Sequence, residues 1–260
     1  MDYGMTGKVV VVTGGSTGIG KAIAKTFHEE GAHVVINGRS QSKLDGAVAD
    51  IGPRTHGVVA DLTTLAGAET LFSFATDIGP VEVLVNNIGI FESRDFFAFD
   101  DEDWQQYFDF NIMTGVRITR LVLRQMLDRN SGSVLFISSD AAVKAIPWMV
   151  PYSMSKAAQL GMARAMAEIT KGTKVTVNTL MPGPTATDSV REYFGQIATQ
   201  KGVSTDQVIE NYFSNEEPSS LLQGLIDPAS HGQAALAVVA NPAINGAVLR
   251  CEGGIVRSSF

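Results

Sequence analysis

Residues 9–20 read Val-Val-Val-Val-Thr-Gly-Gly-Ser-Thr-Gly-Ile-Gly, and few folds accommodate such a run. Four consecutive β-branched residues with no polar interruption predict a central strand buried on both faces. Gly14, Gly18 and Gly20 then permit a tight turn and a close approach of backbone to a ligand. Beyond them Ile19, Ile23 and Phe27 recur at the spacing of one helical face. Strand, glycine turn and helix N-terminus together make an anion site, because unpaired N–H groups and the helix dipole point at the turn. A dinucleotide pyrophosphate is the ligand this context predicts; the competing reading is a glycine turn that only packs a helix closely on a sheet.

The rest of the chain repeats the strand–helix rhythm. Apolar strand signals at 33–37, 56–60, 81–85, 133–137, 174–180 and 247–250 are interleaved with helical patterns at 65–78, 103–129, 152–170 and 228–240. Such alternation predicts an α/β fold, a three-layer doubly wound (Rossmann) parallel sheet of about seven strands with helices on both faces. The rhythm stops between 185 and 226, where two helical pieces are expected near 188–201 and 205–213. Long excursions of this kind are usually functional, so a substrate lid is expected there. With no repeat, low-complexity tract or linker, one domain spanning 1–260 is the economical reading.

Composition narrows the function classes. A hydrophobic fraction of 45% supports a large core, and a net charge of −7 leaves no basic face for nucleic acid. Cys251 is the sole cysteine, which excludes an internal disulfide and a cysteine zinc cluster. His28, His33, His56 and His231 show no ligand spacing, so no metal is expected. The start lacks a signal-peptide pattern, and no apolar run reaches the roughly 18 residues of a membrane span. A cytoplasmic protein without a membrane partner is expected.

Ligands of open parallel sheets bind beyond the C-terminal ends of the strands. Those ends carry residues 14–20, Arg39, Asp61-Leu62, 86–89, Ser138-Ser139 and 182–187. A reactive pair comes from Tyr152 and Lys156, which share a helical face at i and i+4. A free phenol, with a pKa of about 10, is a poor base at neutral pH. A neighbouring ammonium favours the phenolate and makes proton exchange with a substrate oxygen feasible while hydride moves at carbon. Alone, the pair reads equally as a solvated Tyr and Lys; its force comes from following a strand that ends in Ser138-Ser139.

Thr13-Gly-x-x-x-Gly-x-Gly20, Asn86-Asn-Ile-Gly89, Ser139, Tyr152-x-x-x-Lys156 and Pro182-Gly183 stand in an order and spacing that resembles the single-domain short-chain dehydrogenases/reductases, over essentially 7–254. The resemblance implies that Tyr152 is the general acid/base, that Lys156 tunes it and holds the nicotinamide ribose, and that Ser139 binds the substrate carbonyl. Ser138 is one step off the expected spacing and is read as support for the strand end. Asn111 resembles the asparagine that locally opens the long helix and anchors a proton-relay water. On the cofactor, the resemblance implies contacts from Gly14, Ser16, Thr17, Gly18, Ile19 and Gly20, and an adenine contact from Asp61 with Leu62 supplying backbone. It further implies ribose and sheet contacts from Asn86, Asn87 and Gly89, and nicotinamide contacts from Pro182, Gly183, Thr185 and Thr187. Thr187 reads equally as a helix N-cap. A homotetramer or homodimer is likewise implied by the resemblance.

The chain departs from the family pattern at Ile88, where alanine is common, at Glu252-Gly253-Gly254, where Asp-Gly-Gly is usual, and at Asp140. Asp140, with Lys144 nearby, is read first as an exposed loop charge, since charges usually stay solvated, and second as a polar contact in the substrate pocket. The slot after the second strand that would hold an acid for a free ribose carries Gly38, followed by Arg39 and Ser40. A guanidinium there can pair with a 2′-phosphate, so NADP(H) is expected over NAD(H), although Ser16-Thr17 supply no second cation; the alternative is that Arg39 stacks over adenine and serves either cofactor. Phe91, Asp140, Ile146, Trp148 and Met149, with Tyr193, Phe194, Tyr212 and Phe213, are expected to line an apolar, partly aromatic substrate pocket or, in part, a subunit interface. The activity expected is interconversion of a carbonyl and a secondary alcohol. The rivals are a catalytically silent nucleotide-binding regulator and a dehydratase or epimerase on the same fold.

Overall fold

A computed structural model of the chain describes residues 3–258. Seven parallel strands form one sheet in the order β3-β2-β1-β4-β5-β6-β7. They are β1 (Val9–Val12), β2 (His33–Gly38), β3 (Thr55–Val59), β4 (Val81–Asn86), β5 (Gly132–Ile137), β6 (Val175–Pro182) and β7 (Val248–Cys251). The order reverses between β1 and β4, which opens a crevice above their C-terminal ends. The four valines of β1 divide between two apolar cores. Val9 and Val11 pack on one face of the sheet, Val10 and Val12 on the other, all at 2% exposure or less. That burial on both faces is what the unbroken β-branched run requires.

Helices α1 (Gly18–Glu29) and α2 (Gln41–Ile51) contribute to the second core, and α3 (Leu65–Ile78) to the first. Helix α4 (Asp101–Tyr107) starts at a capping box made by Asp100 and Asp103, then runs through a π-helical turn, Phe108–Met113, into α5 (Thr114–Arg129). Helix α6 (Val150–Ile169) carries Pro151 in its first turn, where the missing N–H costs nothing. Helices α7 (Asp188–Lys201) and α8 (Thr205–Asn211) precede a second π-helical turn at Tyr212–Glu216, and α9 (Pro228–Ala240) closes the layer beside α1.

Two differences from the sequence reading stand out. Helix α2 is absent from it, although its buried residues Leu44, Ala47 and Ile51 share one helical face. Its ends carry signals as well: Ser40 caps it, accepting from the Lys43 amide at 3.4 Å, and Gly52 ends it at a φ of 131°. The long helix expected at 103–129 begins two residues earlier and is interrupted by the π turn. The excursion at 185–226 is pinned where the rhythm breaks and resumes, by a parallel bridge between Thr185 and Ile226. It has a small core of its own, built on Phe194, Ala198 and Val208.

Candidate active site

The glycine turn is braced from below. Thr13 Oγ1 donates to Val85 O at 3.3 Å and accepts from the Asn87 amide at 2.9 Å. Asn87 Nδ2 donates to Thr13 O at 3.0 Å and to Gly14 O at 3.2 Å, while the Gly14 amide donates to Asn37 Oδ1 at 3.0 Å. Gly14 and Gly18 take φ of 62° and 55°, in the left-handed region. A Cβ on Gly20 would sit 2.4 Å from Asn87 Nδ2 and 2.7 Å from Gly14 O, so no other residue fits there without moving the brace. The Thr17 side chain does not cap α1, and α1 has no acid in its first turn, which leaves the helix N-terminus open to an anion.

A groove of about 290 Å³ runs from this turn across the strand ends. Gly14, Ser16, Thr17, Arg39, Asp61, Leu62, Asn87 and Gly89 line it, as the sequence reading expects. The Arg39 guanidinium lies 5.2 Å from the centroid of the Phe110 ring, a neighbour the sequence reading did not identify. Asp61 Oδ1 accepts from the Thr63 amide at 2.9 Å and hydroxyl at 2.8 Å, and these bonds hold its carboxyl below the usual range. Ser40 and Asn86 are not among the lining residues. Ser40 is spent on capping α2, and Asn86 turns under the sheet to donate to Thr119 at 2.8 Å. Turn, open helix end and groove fit a dinucleotide.

A second cavity, about 310 Å³, shares Asn87 and Gly89 with the groove. It brings together Ser139, Tyr152, Lys156, Pro182, Gly183, Thr185 and Thr187, together with Gly18 and Ile19. Lys156, 4% exposed, donates to Ile137 O at 2.8 Å and to Gln159 Oε1 at 3.3 Å. Burial pushes its amine down to about 7. The Tyr152 phenol is driven well above its ordinary value by burial, with a Ser139 hydrogen bond pulling the other way. Ser138 Oγ donates to Lys156 O at 2.9 Å, which ties the end of β5 to α6.

Asn111 sits in the π turn, 1% exposed. Its Oδ1 accepts from the Ile90 amide at 2.7 Å, and its Nδ2 donates to Ile90 O at 3.0 Å and Ser155 Oγ at 2.8 Å. The Asn111 backbone carbonyl accepts from Gln159 Nε2 at 2.6 Å, so a side-chain amide bridges it to Lys156. Gln159 was missed, though its place three residues after Lys156 puts it on the same helical face. Thr187 caps α7, as its N-cap reading has it, and also lines the cavity beside Gly18. Thr185 is more committed, with Oγ1 at 2.7 Å from Gly183 O and 2.8 Å from His231 Nε2.

Phe91, Asp140, Ile146, Trp148 and Met149 all line this cavity, as do Tyr193, Phe194 and Tyr212. Phe213 does not; it is 1% exposed and turned away. Val190 and Glu216, which the sequence reading left out, complete the wall. Asp140 corrects the preferred reading of it. It is no exposed loop charge but 7% exposed, and it accepts from Ser139 Oγ at 2.8 Å. Lys144 is not solvated alone either; it pairs with the buried Glu217.

Burial raises the Asp140 carboxyl to about 6, with Glu217 and Glu252 adding repulsion and the Ser139 bond opposing it. A folded-state pKa above the unfolded one makes the ionised form a burden, fully felt above the folded value and absent below the unfolded one. Asp140→Asn should therefore stabilise the protein at pH 7.5 by up to about 3 kcal/mol, and the gain should vanish near pH 3. Urea unfolding of both proteins across that range measures it; a variant less stable at pH 7.5 would contradict the assignment.

A family model described as short chain dehydrogenase matches residues 8–197. The uncharacterized oxidoreductase YvrD of Bacillus subtilis (strain 168) is 44% identical, covering 99% of this chain and 100% of that protein. Among solved structures, L-sorbose reductase from Gluconobacter frateurii, complexed with NADPH and L-sorbose, superposes with a TM-score of 0.93 at 26% identity, over 99% of this chain and 100% of that one. An actinorhodin polyketide ketoreductase with NADPH gives 0.87 at 25% identity, over 96% and 97%.

Proposed function

The chain belongs to the short-chain dehydrogenase/reductase family of oxidoreductases, and on that premise we propose that it is an NADP(H)-dependent reductase interconverting a ketone and a secondary alcohol. The observation that carries the reading is the convergence of Ser139, Tyr152 and Lys156 on the cavity that adjoins the dinucleotide groove. In the reductive direction the Ser139 hydroxyl, rotated from Asp140, donates to the carbonyl oxygen, and Tyr152 Oη delivers a proton to that oxygen. The bound nicotinamide, when reduced, supplies the hydride to the carbonyl carbon. A phenol raised by burial is protonated at neutral pH, the form the reductive direction requires. Lys156, held by Ile137 O and Gln159 Oε1, stabilises with its charged amine the phenolate left behind. Two solved structures of the same fold, both with NADPH, support the choice of dinucleotide.

Incubation with NADPH and a panel of ketones, followed by loss of the reduced-nicotinamide absorbance, tests the activity. Tight dinucleotide binding with no turnover of any carbonyl would point to a silent regulator instead. Arg39 tests the cofactor. Its guanidinium, stacked on Phe110 at the groove, is proposed to pair with the 2′-phosphate. Arg39→Ala should weaken NADP(H) by about 2 kcal/mol while changing NAD(H) little. Equal losses for both, or tighter wild-type binding of NAD(H), would reject the pairing.

The 185–226 excursion is proposed as the substrate lid, because Val190, Tyr193, Phe194, Tyr212 and Glu216 all face the cavity from it. Hydrogen exchange between its pinned ends should slow in a ternary complex relative to the free enzyme. Equal, strong protection in both states would rule a lid out.

A further inference from the structure

The walls of the second cavity are apolar and aromatic, with Ile146, Trp148, Met149 and Val190 among them, yet its lining includes a carboxylate beside the serine. Asp140 is more than nine-tenths buried and still lines that space. Among the described residues the donor bonded to it is the Ser139 hydroxyl, at 2.8 Å; the Ala141 amide donates to Ser139 Oγ at 3.1 Å. No cation among the described residues is paired with it. The charged groups acting on it are Glu217, just after the second π turn, and Glu252, just after β7, both acids. The base nearest in sequence, Lys144, is taken by Glu217, and Arg250 lies against Glu252. A carboxylate held this way is costly, and a small or apolar residue would fill the place at less expense in stability. Buried acids that face a cleft without a structural partner are candidates for binding a ligand.

We propose that Asp140 accepts a hydrogen bond from the substrate, and that the substrates are ketones bearing a hydroxyl or ammonium donor on the carbon next to the reacting carbonyl, with an apolar remainder. The position of the donor follows from the spacing of the two side chains. Asp140 Oδ1 lies 2.8 Å from Ser139 Oγ, a spacing like that between a ketone oxygen and a hydroxyl on the neighbouring carbon, so a donor there reaches Asp140 while the carbonyl oxygen rests on Ser139. The apolar remainder follows from the Ile146, Trp148 and Met149 wall. Asp140 and Glu216, the two carboxylates in the lining, oppose substrates that carry a carboxylate or phosphate. This assignment rests on the ketone-reductase reading and on Ser139 and Tyr152 holding the reacting oxygen.

The test compares 2-hydroxyacetophenone with propiophenone, its near-isostere with a methyl in place of the hydroxyl, using the full chain and NADPH. Reduction of the former takes hydride from NADPH at the carbonyl carbon and a proton from Tyr152 at oxygen, giving a vicinal diol and NADP⁺. The wild type should favour the hydroxyketone in kcat/KM by about 30-fold or more, because a site built around a donor rejects the analogue that lacks it. Asp140→Ala should bring that ratio to within about threefold of unity, and Asp140→Asn, which keeps an acceptor oxygen, should hold an intermediate ratio. A greater preference for 2-aminoacetophenone, lost in Asp140→Asn, would assign the donor as ammonium. A wild-type ratio near one, or an Asp140→Ala loss equal for both ketones, would overturn the proposal and leave Asp140 as a support for Ser139. If NADPH binds but no ketone of any kind is reduced, the reductase reading itself falls.

Discussion

Tyr152→Phe should lower turnover on the order of 10²–10⁴-fold while leaving dinucleotide affinity nearly unchanged. The substitution removes one oxygen and keeps the ring, which packs edge-on to Phe91 with centroids 6.1 Å apart. Neither the groove nor the glycine turn depends on the phenol, since Tyr152 is absent from the groove lining. What disappears is the proton donor in the cavity and the hydrogen bond to Ser139. Stopped-flow binding of NADPH together with steady-state kcat separates the two effects. A variant retaining turnover within tenfold of wild type would show that the proton comes from elsewhere.

Lys156→Ala should impair both properties, reducing kcat on the order of 10²-fold or more and weakening the dinucleotide as well. Lys156 is buried, and its amine donates to Ile137 O and Gln159 Oε1, a geometry that a longer planar guanidinium does not reproduce. Lys156→Arg is therefore not expected to rescue. The pH dependence has a definite sign. With its pKa pushed down to about 7, the amine of the free enzyme is charged at pH 6 and largely neutral at pH 9. The difference in NADPH affinity between wild type and Lys156→Ala should thus be greatest at pH 6 and shrink toward pH 9. A difference that grows with pH would mean that the charge of Lys156 does not contribute to binding.

Arg39 and Asp140 mark where local reading holds and where it fails. Arg39 could be placed at the mouth of a nucleotide groove because the end of a strand in a parallel sheet has one possible location. The same rule located Asp61, Gly89, Ser139 and Gly183, which lie far apart in the chain yet line two adjoining cavities. Ser40 and Asn86 escaped it because each is claimed by a nearer partner, the N-terminus of α2 and Thr119 of α5. Helix α2 was legible but unread: Leu44, Ala47, Val48 and Ile51 recur at the spacing of one helical face and pack on the second core.

By itself the sequence determined the α/β architecture, through alternating strand and helix patterns, and it put Ser139 at a strand end and Tyr152 with Lys156 on one helical face. The tertiary structure alone decided that Phe110 lies under Arg39, that Gln159 links Asn111 to Lys156, and that Asp140 is buried. Burial of a loop carboxylate is not a local property. It arises only when segments after α8 and β7, distant in sequence, close around residue 140 and bring Glu217 and Glu252 with them.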